Sequence, residues 1–237
     1  MNKLKIAVLF GGYSTEYDIS LQSAYSVITH LDRSKYNPVL LGITPSGEWF
    51  HFSGELVKIR ENTWYNPADC VRAIISPSRE VHGVLKFEAG EVCTIRLDAA
   101  MPVLHGKNGE DGTVQGLLEL AGIPIVGCNS LCSALCMDKD KAHKIAHVAG
   151  VRIPSSFILE NEMDAGTVWE QAENIGYPLF VKPVRAGSSF GITKVLNRDE
   201  LPAAVNLAFG HDDRVIIEEN ISGFEVSCAV SGVYFSL

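Results

Sequence analysis

Residues 5–44 fix the start of the fold. KIAVLF runs into Gly11-Gly12, then into a stretch that sets Leu21, Ala24, Tyr25, Ile28 and Leu31 on one helical face, then into PVLLGIT. A buried strand, a glycine turn, an amphipathic helix and a second buried strand predict the opening of a parallel α/β sheet, because the helix returns the chain to pack on one face of it. The same reading treats the N-terminus as the first strand and not as a signal peptide, since no small-residue cleavage site follows the short apolar run. No stretch is apolar for long enough to span a bilayer, so a cytoplasmic protein is expected.

The pattern continues with hairpin strands at residues 49–52, 84–87 and 93–97, then a run at 99–104 that stops at His105-Gly106. Residues 109–127 read as helix, glycine stop and short strand, and two helical patterns fill 129–149 until Val151-Arg152-Ile153-Pro154 breaks them. Beyond that the spacing predicts strands at 155–159, 178–182, 192–196, 215–219 and 224–230. Helices are predicted at 164–175 and 199–209, the second with Pro202 in its first turn, where no hydrogen bond is lost. This second half is a compact α+β unit. The division expected is an N-terminal α/β domain at 1–128, linker helices with a central subdomain at 129–222, and a further segment at 223–237. The 237 residues include 46% hydrophobic and 20% charged, enough for a sizeable core, and the net charge of −8 argues against nucleic acid or a membrane surface as partner. The six cysteines, Cys70, Cys93, Cys128, Cys132, Cys136 and Cys228, are expected to be buried reduced thiols, since paired CxxC spacing is absent.

Open α/β sheets bind ligands beyond the carboxyl ends of their strands, which singles out three loops. Residues 11–20 (GGYSTEYDIS) have Tyr13 and Thr15 where a dinucleotide fingerprint needs glycine, which disfavours that function; Glu16 suits a ligand ammonium, or simply balances a helix dipole. Residues 105–112 (HGKNGEDG) put His105 with Glu110 and Asp111, a metal or acid-base cluster or a solvated loop. Residues 181–192 (VKPVRAGSSFGI) bring Lys182 to a loop holding Ser188 and Ser189. With Lys139, two lysines beneath free backbone N–H groups suit a triphosphate, although no Walker motif is present. Glu218 and Glu225 bracket a strand-turn-strand, where carboxylates accept from a nucleobase amine and ribose hydroxyls or lie on the surface. His143 and His147 stand four apart, but Lys144 holds the place of the general base in HExxH, so no zinc site is expected there.

Five segments, GGYSTEYDISLQSA, PVLHGKNGEDGTVQGLLELAGIPIVG, ALCMDKDKAHKI, PLFVKPVRAGSSFGITKV and VIIEENISGFEVSCAV, resemble the D-alanine–D-alanine ligase family of the ATP-grasp superfamily, in the family's order and over nearly the whole chain. The pattern is closer to the D-alanine–D-serine branch associated with vancomycin resistance. The resemblance implies a pre-ATP-grasp N-terminal domain followed by an ATP-grasp lid subdomain. It also implies a peptidoglycan-precursor reaction in which ATP converts a D-alanine carboxylate to an acyl phosphate that a second D-amino acid attacks. By motif position it implies that Glu16 holds the ammonium of the first D-alanine and His105 lies near its carboxylate. Lys139 and Lys182 would contact ATP phosphates, Ser188 would bond to Glu16, Ser189 would belong to a phosphate lid, and Glu218 and Glu225 would meet adenine and ribose. A homodimer through the N-terminal domain is implied as well. The family's Mg2+ ligands and its intermediate-stabilising arginine come after the last matched motif. The expectation is therefore a chain without the C-terminal ATP-grasp half, with weak ATP binding and no dipeptide formation, and the alternative is a non-catalytic remnant that binds nucleotide or another chain. A glutathione-synthetase-like enzyme fits the HGKNGEDG and GGYSTE segments poorly.

Overall fold

The computed structural model describes residues 3–160, 165–187, 190–226 and 228. Its first sheet has seven strands in the order β6-β5-β4-β3-β2-β1-β7, built from β1 (Leu4–Gly11), β2 (Tyr36–Ile43), β3 (Trp49–Phe52), β4 (Cys70–Ile75), β5 (Gly83–Glu88), β6 (Glu91–Arg96) and β7 (Ala99–Pro102). Only β7, β1 and β2 are parallel; β3 to β6 extend them as an antiparallel meander. The predicted crossover is α1 (Tyr17–His30). The sequence reading missed β4 and the single turn α2 (Val57–Arg60), and the short strand expected near 123–126 is one parallel bridge from Ile125 to Ala100.

β1 is central, and its alternation feeds two cores. Ala7 and Leu9 point to α3 (Thr113–Ala121), where Val114, Leu118 and Ala121 meet them. Val8 and Phe10 point to the other face, against Leu21, Ala24 and Ile28 of α1 and the buried Trp64. A strand buried on both faces reads as a continuous apolar run, as KIAVLF does. Trp64 lies edge-on to Phe10 with centroids 5.0 Å apart, and its Nε1–H donates to the Tyr17 hydroxyl at 2.8 Å.

Two helices, α4 (Ser130–Met137) and α5 (Lys139–Val148), lead to the second sheet. Asn129 caps α4 by accepting from Cys132 N, and Asp138 caps α5 by accepting from Lys141 N. The second sheet is antiparallel in the order β10-β9-β11-β8, from β8 (Ser156–Glu160), β9 (Leu179–Pro183), β10 (Thr193–Val195) and β11 (Arg214–Glu219). One face packs Leu179, Val181, Val195, Val215 and Ile217 on α6 (Ala165–Ile175) and α7 (Leu201–Phe209). The alternate residues, Phe180, Lys182, Lys194, Arg214, Ile216 and Glu218, share the opposite face.

Two expectations are corrected. Five of the cysteines, Cys93, Cys128, Cys132, Cys136 and Cys228, are exposed and only Cys70 is partly buried. Cys132 and Cys136 belong to a short helix whose buried position is Ser133, so the four-residue spacing follows its outer side. Of the strand expected at 224–230, the described residues 224–226 and 228 are in no strand, and Phe224 and Val226 are exposed; the remainder lies outside the described residues. Among the described residues no helix is long and apolar enough to cross a membrane.

Candidate functional site

The loops after β1 and β7 meet at the carboxyl edge of the parallel strands. Gly11 turns the first with φ +83, and a Cβ there would stand 2.2 Å from Ile43 O. Its N–H donates to Ser20 Oγ at 2.9 Å, which ties the turn to α1. Glu16 follows at the N-cap position of α1, yet its side chain makes no capping hydrogen bond. Its carboxylate, in a residue only 4% exposed, turns instead toward the second loop and the glycine loop. A Cβ on Gly106 would begin 1.8 Å from Glu16 Oε2, and one on Gly187 3.0 Å from Oε1. Both glycines are thus walls of the Glu16 pocket. The helix-dipole account of Glu16 does not explain this orientation.

His105 lies beside this pocket, with Nε2 3.1 Å from Ser23 Oγ and Nδ1 3.9 Å from Glu110 Oε1. The two carboxylates of HGKNGEDG serve their own loop. Glu110 accepts from Gly106 N at 2.8 Å, and Asp111 accepts from Asn108 N at 2.7 Å and Thr113 N at 3.0 Å. Asn108 Nδ2 donates to Tyr13 O at 3.1 Å, joining the two loops. Among the described residues no group of three or more His, Cys, Asp and Glu side chains could hold a metal ion. The described residues thus offer no cage that would hold Mg2+ by protein ligands alone, and no step is assigned to it. A cavity of about 380 Å³ opens beside Glu16, bounded by Tyr13, Lys107, Arg185, Gly187 and Phe190.

The second cluster lies on the helix-free face of the second sheet. Lys182 opposes Ile216, two residues before Glu218, so its ammonium reaches diagonally to Glu218 Oε1 and forms an ion pair. The ammonium also lies 5.1 Å from the Phe180 ring centroid. Lys139, the first residue of α5, donates through Nζ to Ala186 O at 2.6 Å and lies 3.4 Å from Val184 O. Burial, and then the neighbouring Lys182 ammonium, push the Lys139 pKa down. Two ammonium groups converge here, one of them bonded among the described residues only to carbonyls, in a site that favours an anion. Glu218 is 6% exposed, and its Oε2 is buried with no hydrogen-bond partner among the described residues, so it can accept from an incoming N–H donor. These features fit the phosphates and the amino group of a nucleotide.

Lys139, Lys182 and Glu218 are thus brought together, and Glu16 and His105 form a second group that touches the glycine loop at Gly187. Glu225 is exposed after β11, outside any strand. Ser188 and Ser189 lie outside the described residues. The sequence reading missed Asp138, Asp140 and Arg214, which surround Lys139, and Arg185, which pairs with Asp212 at 2.7 Å and also with Asp213. The alternation in CMDKDK carried the signal: acids on both sides of a half-buried lysine need a cation elsewhere in the chain.

Residues 5–128 match the family model described as D-ala D-ala ligase N-terminus, and residues 147–235 match D-ala D-ala ligase C-terminus. A D-alanine–D-alanine ligase of a Thermoanaerobacter species is 45% identical over 98% of this chain and 65% of its own length. Among solved structures, the VanG D-Ala:D-Ser ligase of Enterococcus faecalis is 51% identical with a TM-score of 0.86, over 94% of this chain and 64% of that one. The D-alanine–D-alanine ligase of Bacillus anthracis complexed with ATP is 30% identical with a TM-score of 0.64, over 93% of this chain and 60% of that one. This chain spans about 65% of the length of the curated relative. With both family models matched in order along the same molecule, the chain belongs to the D-alanine–D-alanine ligase family.

Proposed function

We propose that these residues serve an ATP-dependent ligase that joins D-alanine to a second D-amino acid for peptidoglycan precursors. In this reading residues 1–128 bind D-alanine, and residues 129–222 hold the nucleotide against the second sheet. Glu16 receives the D-alanine ammonium, with His105 near the carboxylate. That carboxylate takes the terminal phosphoryl group of ATP, ADP leaves, and the amine of the second amino acid displaces phosphate and loses a proton. Lys139 and Lys182 stabilise the charge on the transferring phosphoryl group, an effect strongest where water is excluded. Ser188 and Ser189 would close over the phosphates, Glu218 would face adenine and Glu225 the ribose. Self-association through the first sheet's unit belongs to the same reading. The observation that carries it is the convergence of Lys139 and Lys182 beside Oε2 of Glu218, which has no partner among the described residues.

Amide chemical-shift mapping tests the two sites separately and detects weak binding. ATP is expected to shift residues around Lys139, Lys182 and Glu218, and D-alanine those around Glu16 and Gly106. Lys182→Ala should remove the ATP response and Glu16→Gln the D-alanine response. Shifts that map elsewhere, or that survive both substitutions, would overturn the proposal.

A further inference from the structure

Lys139 is held from three sides. Its own N–H donates to Val184 O at 3.1 Å, while Val184 N–H donates to Arg214 O at 3.0 Å. The Arg214 guanidinium then returns to the residues flanking Lys139, at 3.4 Å from Asp138 Oδ2 and 3.1 Å from Asp140 Oδ2. Asp138 also caps α5 through Lys141 N at 3.0 Å, so the helix start, the lysine and the strand end form one closed circuit. The Lys139 ammonium lands on Ala186 O, one residue before the Gly187 that walls Glu16. Asp138 and Asp140 are both buried, and the planar guanidinium addresses the two carboxylates through a fixed fork of donors that an ammonium on a flexible stem lacks.

We infer that Arg214, bridging Asp138 and Asp140, is a positioning residue that aims Lys139 at the bound anion and ties it to the base of the glycine loop. The inference rests on the nucleotide reading of Lys139 given above. Arg214 itself touches no ligand in this scheme. It acts by fixing where α5 begins relative to β11.

ATP affinity of the whole chain, measured by the same shift titration across a range of pH, tests this. Arg214→Met keeps the bulk of the side chain and removes the bridge; it is expected to weaken ATP binding by about tenfold or more, the loss of one charge-assisted hydrogen bond from Lys139 to the anion. A loss of packing alone would stop there. A positioning role also moves the alkaline limb, because the charged groups facing Lys139 are Lys182 from β9, Glu218 from β11, Asp212 before β11 and Asp138 at its own cap. Removing Arg214 takes away a positive charge beside Lys139, leaving Asp138 and Asp140 paired with Lys141 and Lys144, and lets water reach Lys139; both raise its pKa. ATP affinity should therefore persist to higher pH in Arg214→Met than in the wild type, and Arg214→Lys should restore part of the neutral-pH affinity. Arg198→Met, which breaks an exposed pair with Glu173, should leave ATP binding unchanged. If Arg214→Met does not fold, Asp140→Asn opens half the bridge and should weaken ATP binding at neutral pH, with the alkaline limb moving to lower pH because a negative charge near Lys139 is lost. Wild-type affinity, or a weakened affinity with an unmoved alkaline limb, overturns the inference. Unchanged binding in Lys139→Ala would overturn the nucleotide reading itself, which separates the two failures.

Discussion

Gly106→Ala offers a direct probe of the Glu16 pocket. Gly106 has φ +69, and an added Cβ would begin 1.8 Å from Glu16 Oε2 and 2.9 Å from both Glu16 Cδ and Ser14 Oγ. Ordinary contact begins at 3.4 Å, so the carboxylate would have to retreat by about 1.6 Å. Gly90 supplies the control, because it has φ +84 with nothing within 4 Å of an added Cβ. Both substitutions carry the left-handed backbone penalty of roughly 1–2 kcal/mol. Only Gly106→Ala adds a collision in a packed site, which costs about 1–3 kcal/mol more. Urea unfolding should rank the variants as wild type, Gly90→Ala, Gly106→Ala, in falling stability. In the proposed reading Glu16 receives the D-alanine ammonium through a charge-assisted hydrogen bond worth about 1.5–3 kcal/mol, so D-alanine affinity should fall at least about tenfold in Gly106→Ala and hold in Gly90→Ala. Equal unfolding free energies for the two variants, with the D-alanine shifts intact, would refute the account of Gly106 as a wall.

Lys182→Met leaves Glu218 buried without its partner and is expected to cost about 3 kcal/mol in urea unfolding, with most of that recovered by adding Glu218→Leu. Burial raises the carboxyl pKa of both Asp138 and Asp140. Hydrogen bonds from Lys141 to Asp138, and from Lys144 and Arg214 to Asp140, outweigh it, so both lie below the ordinary range. A depressed carboxylate stabilises the fold above its unfolded pKa and loses that contribution as pH falls through the folded one, so stability should drop from about pH 4 downward, and less steeply in Arg214→Met. Trp64→Ala should cost about 3–5 kcal/mol in unfolding free energy, because it empties the space between Phe10 and Phe52 and strips the Tyr17 hydroxyl of its donor. An aromatic disulfide reagent should titrate Cys93, Cys128, Cys132, Cys136 and Cys228 quickly and Cys70 last, because burial raises the Cys70 thiol pKa.

Periodicity made the first crossover legible, since KIAVLF and PVLLGIT can be satisfied only by burial on both faces. It did not show β4, whose CVRAII mixes an arginine into an apolar run, although β4 pairs with its sequence neighbours β3 and β5. Glu16 and Gly106 were legible as loop residues, but that one walls the other depends on β1 and β7 being neighbours. The ion pair of Lys182 with Glu218 rests on strand register, which spacing alone leaves open. The cysteines misled because thiols are usually buried, while here α4 packs through Ser133 and leaves Cys132 and Cys136 exposed, as Cys93, Cys128 and Cys228 are elsewhere.

The alternation along β9 sets how this segment can change. Val181 enters the core beside Val195 and Ile217, while Phe180 and Lys182 face the anion-favouring side. Removing one residue from the strand would exchange the two sets, sending the lysine among the valines and the valine to the anion-favouring side. Point substitutions on either face leave the other intact. The lineage of this strand is therefore open to drift in residue type and closed to drift in length, and a library scanning single-residue insertions and deletions should find β9 and β11 far less tolerant than the turn at Glu88–Glu91.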